Sequence, residues 1–315
     1  MTVYVARRLV HALLVVFVVS VLTFTLVNLA PGGPAIMTTM ETTPEQREAH
    51  RIRLGLDRPL HVRLGKWLLA SARGDFGRSF NDGRPVLEVI GERLPATMLL
   101  GGAALAVSLS AGIPAGVLSA THRYSVYDHS VTFLSFVGVS IPAFWLAIML
   151  ILLFSVELRW LPGSGMATIG AAFSLSDRIL HLTLPALVLA TTALPQLLRF
   201  TRSAMLEVLS QDFVRTARAK GLPRRRVLYG HAFRNSLIPV ATVVGLLIPR
   251  LVGGAVITES IFGWPGMGQL AVSSAIGRDF PLVMGVTVVV ALAVILTNLA
   301  VDLAYGWLDP RVRYE

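Results

Sequence analysis

Six nearly uncharged apolar stretches divide this sequence: Leu9–Leu29, Ala96–Leu118, Val131–Val156, Leu180–Leu198, Leu237–Ile257 and Leu282–Leu303. A helix needs about 20 such residues to cross the hydrocarbon core of a bilayer. Inside that core every backbone N–H and C=O has to be bonded within the protein, which for segments of this length means a helix. The expected fold is an all-α membrane protein with six transmembrane helices. Composition agrees, since 15% of the residues are charged, where soluble domains carry about 25%. The first stretch follows Arg7 and Arg8, as a secretory signal would. Its apolar run exceeds the roughly 7–15 residues of a signal core, and Asn28-Leu29-Ala30-Pro31 is a poor cleavage site, so it reads as a retained span.

The placement of charge sets the orientation. With the N-terminus inside, the short inner segments hold fourteen Lys and Arg, nine of them in the loop 199–236, while the short outer loops 157–179 and 258–280 hold three. Basic residues gather on the cytoplasmic side of short loops, so both termini are expected in the cytoplasm of a multi-pass inner-membrane protein. The segment 31–95 carries ten Lys and Arg against eight Asp and Glu, and a loop of that length crosses regardless of charge. The net charge of +10 is thus topological, and no nucleic-acid partner is implied. Cysteine is absent, which excludes disulfides, thiol catalysis and thiolate metal sites.

Four parts are expected: a cytoplasmic N-terminus with span 1 (1–30), an extracytoplasmic cap of short helices between spans 1 and 2 (31–95), a core of spans 2–6 (96–305), and a cytoplasmic tail (306–315). Prolines at 114, 142, 185, 195, 239 and 249 fall within the spans. They are either tolerated kinks or bends that line a cavity and move.

The loop between spans 4 and 5 has helical order. Ser210 can cap a short helix with Asp212 in its first turn, Lys220 in its last and Gly221 as the stop. On a helical wheel Phe213, Val214 and Ala217 share one apolar face, opposite Arg215, Arg218 and Ala219. Pro223 and Arg224-Arg225-Arg226 follow, before a second helical run from Val227 to Asn235. An anionic lipid surface, a simple topological anchor and a docking element for a cytoplasmic partner all remain compatible with that pattern.

The stretch DFVRTARAKGLPRRRVLYGHAFRNSLIP resembles the cytoplasmic EAA loop of bacterial ABC-importer membrane subunits, more narrowly the first of the two paired permeases of the dipeptide/oligopeptide/nickel family. Further stretches resemble that family in order: LGLDRPL (54–60), GDFGRSF (74–80), ERLPATMLL (92–100), ITESIFGWPGMG (257–268) and LDPRVRY (308–314). Two departures stand out. Arg215-Thr216-Ala217 occupies the place of Glu-Ala-Ala, and His231-Ala232-Phe233-Arg234 replaces the later Ile-x-Leu-Pro, so no role of the missing glutamate carries over.

The resemblance implies a permease forming half of a translocation pathway for peptides across the cytoplasmic membrane. Its partners would be a homologous second permease, two cytoplasmic ATPase subunits, an extracytoplasmic binding protein and membrane lipid. No phosphate-loop motif occurs and no cofactor is expected in this chain, so ATP and magnesium would belong to the ATPases. The segment 211–220 becomes a coupling helix, drawn from Asp212, Phe213, Arg215, Thr216, Ala217, Arg218, Ala219, Lys220 and Gly221. Phe213 and Ala217 would pack in an ATPase groove, and Arg215 and Arg218 would pair with acidic groups.

Two further residues are candidates for the translocation path. Arg250 lies mid-span, where a charge costs ~2.5–3.5 kcal/mol on insertion scales, and faces either the path or a carboxylate of the second permease. Glu259 serves an extracellular gate or is simply hydrated. Asp302 reads as an interface residue. The histidines show no metal-ligand spacing, and Gly163-Ser164-Gly165 lacks a nucleophile elbow. The alternatives are the same importer class carrying nickel chelates or another small solute, a self-contained secondary transporter, and a scaffold without transport. A secondary transporter would show inverted repeats around a midplane site.

Overall fold

The computed structural model describes residues 2–29, 45, 52 and 57–308, and the described residues are helical apart from turns, the irregular segment 158–174 and one isolated bridge. The elements are α1 (Thr2–Leu29), α2 (Leu60–Ala72), α3 (Val86–Thr121), α4 (Val126–Ser140), α5 (Ala143–Leu150), a π-helical turn (Ile151–Glu157), α6 (Leu175–Leu209), α7 (Asp212–Ala219), a second π-helical segment (Arg226–Phe233), α8 (Arg234–Ile261), α9 (Met267–Ile276) and α10 (Phe280–Leu308). Of the expected cap, 31–56 lies outside the described residues except for Glu45 and Ile52, as do the tail 309–315 and the side chains of Arg250 and Asp302.

Five helices are long and apolar enough to cross a membrane, and a sixth crossing arises if α4 and the α5–π run form one span. The stretch expected as a single helix over Val131–Val156 is instead broken, with its halves bent by 100°. The cause is local. Pro142 disfavours helical backbone at the residue before it, and Ile141 accordingly sits at φ −79°, ψ 124°. The other five prolines lie inside continuous helices, so one proline of the six makes a break. Span 4 also runs farther than its apolar residues suggest, to Leu209 rather than Leu198. Thr201, Ala204 and Met205 are buried along that extension, so packing carries the helix past its polar residues.

The chain gathers into two compact units, neither a continuous run. One comprises the chain to Thr97 together with Pro265–Leu296. Phe76, Val86, Ile90, Met267, Leu282 and Val286 are buried together there. Asp279, fully buried, organises the start of α10: its carboxylate accepts from Leu282 N at 3.3 Å, from Ser79 Oγ at 2.6 Å and from Asn81 N at 3.3 Å. Met267 N donates to Thr97 Oγ1 at 2.7 Å. In the turn before α3, the Arg84 backbone N–H donates to Asp82 and holds that carboxyl below the usual carboxylate range.

The other unit holds Met98–Trp264 and the chain from Thr297. Here α6 packs against α4, α5 and α8. Gly112 and Gly116 of α3 let it lie directly on α6, for a Cβ at Gly116 would sit 2.7 Å from Leu198 O and 2.7 Å from Thr201 Cβ. Small residues spaced four apart are a common device for close helix approach in membranes, where van der Waals packing rather than water exclusion holds helices together. The loop after the π turn is pinned to this unit by Gly165 N, which donates to Phe262 O at 2.8 Å.

Candidate functional site

The site is the loop between spans 4 and 5, built around the eight residues of α7. Ser210 does not cap this helix: its hydroxyl donates back to Glu207 O at 2.7 Å and closes α6 instead. Gln211 occupies the N-cap position without a side-chain bond, and Asp212 in the first turn places a carboxylate at the positive end of the helix dipole. The C-terminus is more tightly specified. Gly221 has φ +75°, Leu222 N donates to Ala217 O, and Gly221 N donates to Arg218 O. Leu222 also packs back on the cluster that contains Ala217. This bond pattern with its apolar contact is a Schellman stop, which needs a residue that accepts left-handed backbone.

Packing then separates the two sides of α7. Val214 is 0% and Ala217 6% exposed, both buried with Val227 and flanked by Val208 and Leu209. Phe213, placed on the same face by the helical wheel, is 43% exposed. Ala217 is therefore unavailable for a partner's groove, because it holds α7 to its own chain. Arg215 stands out with 73% of its side chain exposed, 3.4 Å from Asp212. Arg218 lines an open cleft of about 450 Å³ with Ala120, Thr121, Leu209, Leu222 and Arg224, between the loop and the end of α3. Thr216 Oγ1 donates to Asp212 O at 2.9 Å, a bond internal to the helix, and Lys220 is its C-cap. Every other residue from Asp212 to Lys220 is exposed, so Val214 and Ala217 alone are buried and Thr216, Arg218, Ala219 and Lys220 join Asp212, Phe213 and Arg215 on the open side.

The second helical run begins at Arg224 and passes into a π-helical segment at Arg226. Ala232 on this segment packs with Val117 and Ala120 at the end of α3 and with Met205 near the end of α6. The loop is thus built onto two helix ends, those of α3 and α6, by two adjoining clusters, with Leu209 and Val208 touching both.

One charged pair beside these clusters was not apparent from the sequence. Arg202, on the extension of α6, donates from Nε to Asp128 Oδ1 and from Nη2 to Asp128 Oδ2, each at 2.7 Å. Asp128 is buried, and it also accepts from Ser119 Oγ and from Tyr124 N at 3.0 Å. Ser125 caps α4 by accepting from Asp128 N, and Tyr124 before it is held at φ 63°. The signal was present as Ser125-x-x-Asp128, a Ser followed three residues later by an acid at the start of an apolar run. Arg202 gave no signal, being one basic residue among nine.

Of the residues expected on a path, Glu259 is fully buried near the end of α8, which is at odds with the hydrated alternative and leaves the gate alternative open. The 258–280 loop is largely helix, with Trp264 fully buried and α9 within it.

A family model described as "Binding-protein-dependent transport system inner membrane component" matches residues 112–314, and its N-terminal counterpart matches residues 1–101. The chain is 44% identical to the oligopeptide transport system permease protein AppB of Bacillus subtilis, covering 100% of both chains. It is 43% identical to a putative peptide transport system permease protein of Brucella abortus, again over 100% of each. With the dipeptide transport system permease protein DppB of Escherichia coli the identity is 38%, over 99% of each. Among solved structures, an inward-facing form of the MetNI methionine ABC transporter shares the fold, with a TM-score of 0.58 at 18% identity over 70% of this chain and 96% of that one. The chain therefore belongs to the binding-protein-dependent transport system inner membrane components, the permease subunits of ABC importers, in which partner subunits supply the ATPase.

Proposed function

We propose that this permease carries peptides and that α7 is the helix through which cytoplasmic ATPase subunits drive it. The observation that carries the coupling assignment is the two-sidedness of α7: Val214 and Ala217 anchor it to the chain, while Phe213 and Arg215 stand outward. A helix fixed along one side and stopped by a rigid turn moves with its helix ends rather than flexing alone. Phe213 is the apolar anchor for an ATPase groove, and Arg215 pairs with an acid on its rim. Peptide cargo is supported by the names of the relatives, which span oligopeptide and dipeptide permeases. The assembly includes a second, homologous permease, two ATPase subunits and an extracytoplasmic binding protein, with both termini of this chain in the cytoplasm, a placement its charge distribution supports.

The test is expression of the tagged chain from its native gene neighbourhood, purification in mild detergent, and assay of co-purified ATPase. A Phe213→Ala, Arg215→Glu variant should fold normally and lose the ATPase subunits. A Val214→Ala variant should lower the chain's own melting temperature, since removing two buried methyl groups costs about 2 kcal/mol. An intact chain that retains full ATPase binding and hydrolysis in the Phe213/Arg215 variant refutes the coupling assignment. Uptake of labelled di- to pentapeptides into proteoliposomes decides the cargo, and uptake of a nickel chelate with no peptide uptake refutes it.

A further inference from the structure

The two clusters beneath α7 end beside the charged pair, and the pair reaches α4. Packed contacts run from Val214 and Ala217 to Val227 and Leu209, then to Met205, Val117 and Ala120. Ser119 adjoins Ala120 on α3, and Arg202 lies one turn before Met205 on α6. Arg202 Nε donates to Ser119 Oγ at 3.1 Å, and both donate to Asp128. Asp128 sits in the first turn of α4, the first limb of the broken third span. Ring contact continues the same alignment, with the Arg199 guanidinium 5.7 Å from the Phe136 ring on that limb.

We infer that the Asp128–Arg202 pair, completed by Ser119, is the joint that transmits movement of the coupling loop to the first limb of the broken third span. The argument is one of stiffness and direction. A bidentate guanidinium–carboxylate pair fixes orientation as well as distance, where an apolar contact slides. The carboxylate accepts four hydrogen bonds from three separate parts of the chain: the end of α3, the turn at Tyr124, and α6. It therefore cannot follow one of them without the others. The left-handed backbone at Tyr124 is held by the same carboxylate, so the turn between spans 2 and 3 has no slack through which α4 could lag. Beyond the joint the third span is hinged at Ile141-Pro142, so its first limb can swing on the joint without carrying α5 along. Asp128, Ser119 and Arg202 are positioning residues, and this role rests on the reading of α7 as the coupling helix.

The chain has no cysteine, which makes a direct distance measurement possible. The full importer, with partner subunits made cysteine-free, is reconstituted in nanodiscs with spin labels on Phe133→Cys of the first limb and Leu187→Cys of α6, both exposed positions. Distances are compared between nucleotide-free and ATP/vanadate-trapped states, and ATP hydrolysis is measured on the same samples. The expected result is a distance change in the wild type that falls by more than half in Asp128→Asn while hydrolysis continues. Arg202→Lys, which keeps the charge but not the bidentate geometry, should be intermediate.

Where Asp128→Asn fails to assemble, Arg202→Lys and Ser119→Ala decide the matter, because they keep both charges. Assembled variants with the full wild-type distance change overturn the inference, and so does a wild type with no change. A merely structural role would lower complex yield and melting temperature with the distance change intact. A Phe213→Ala arm separates the two readings: if it leaves ATPase binding unaltered, the coupling helix assignment fails, and if it abolishes binding while the joint variants behave as wild type, only the joint fails.

Discussion

Gly221 offers the sharpest test of the proposed coupling role of the turn after α7, because its surroundings isolate a single cause. At φ +75° an L-residue pays for crowding between its Cβ and the following carbonyl, about 1–2 kcal/mol in the left-handed helical region. Nothing lies within 4 Å of a Cβ built there, so no steric neighbour adds to that figure. If only the chain with the turn formed binds the ATPase, the apparent dissociation constant rises by the loss of that population. One to two kcal/mol is a factor of roughly 5–30. Gly221→Ala should therefore weaken ATPase binding by up to that factor, the full value being reached where the turn is only marginally stable before the ATPase binds. Gly221→Asn should cost less, since Asn tolerates left-handed backbone, and Gly221→Val should cost more, since β-branched residues are outliers there. The assay is a titration of purified ATPase subunits onto the permease pair in nanodiscs, read by fluorescence anisotropy. Equal affinities for Asn, Ala and Val, or an order set by side-chain volume alone, refute the backbone argument.

Two further pairs of substitutions probe the units separately. Gly116→Ala should lower the melting temperature, because its Cβ meets the backbone at Leu198 O and the overpacking costs about 1–3 kcal/mol. Gly102→Ala, with open space around it on the same helix, should leave the melting temperature unchanged or slightly raised. Asp279→Ala strips the acceptor from Ser79 Oγ, Asn81 N and Leu282 N and should destabilise by about 1–3 kcal/mol, whereas Asp279→Asn, which keeps one acceptor oxygen, should fall between it and wild type. Thermal unfolding followed by protease resistance of the purified chain checks both.

Much of the architecture was legible because a bilayer imposes a length and a charge rule that act along the chain. Five spans, the short helix at Asp212–Ala219 and its glycine stop follow from apolar run length and from the preference of Gly for left-handed backbone. The broken third span was not legible. Six prolines look alike in the sequence, and whether one kinks or breaks a helix depends on what neighbours can satisfy the freed backbone groups. The end of α6 was misplaced for a related reason, since Arg199 and Arg202 read as the start of a polar loop.

Sequence alone determined that this chain is a helical membrane protein, which loops carry its positive charge, and that a short helix after span 4 stops at Gly221, because each is a local or additive property of neighbouring residues. Tertiary structure alone decided which side of that helix is spent on the chain itself, turning Ala217 inward and leaving Phe213 half outside. It also decided that Arg202 and Asp128, 74 residues apart, meet as a buried pair. A helical wheel gives angles about an axis but not what lies across it, and the partner of a charge is fixed only when distant helix ends are packed side by side.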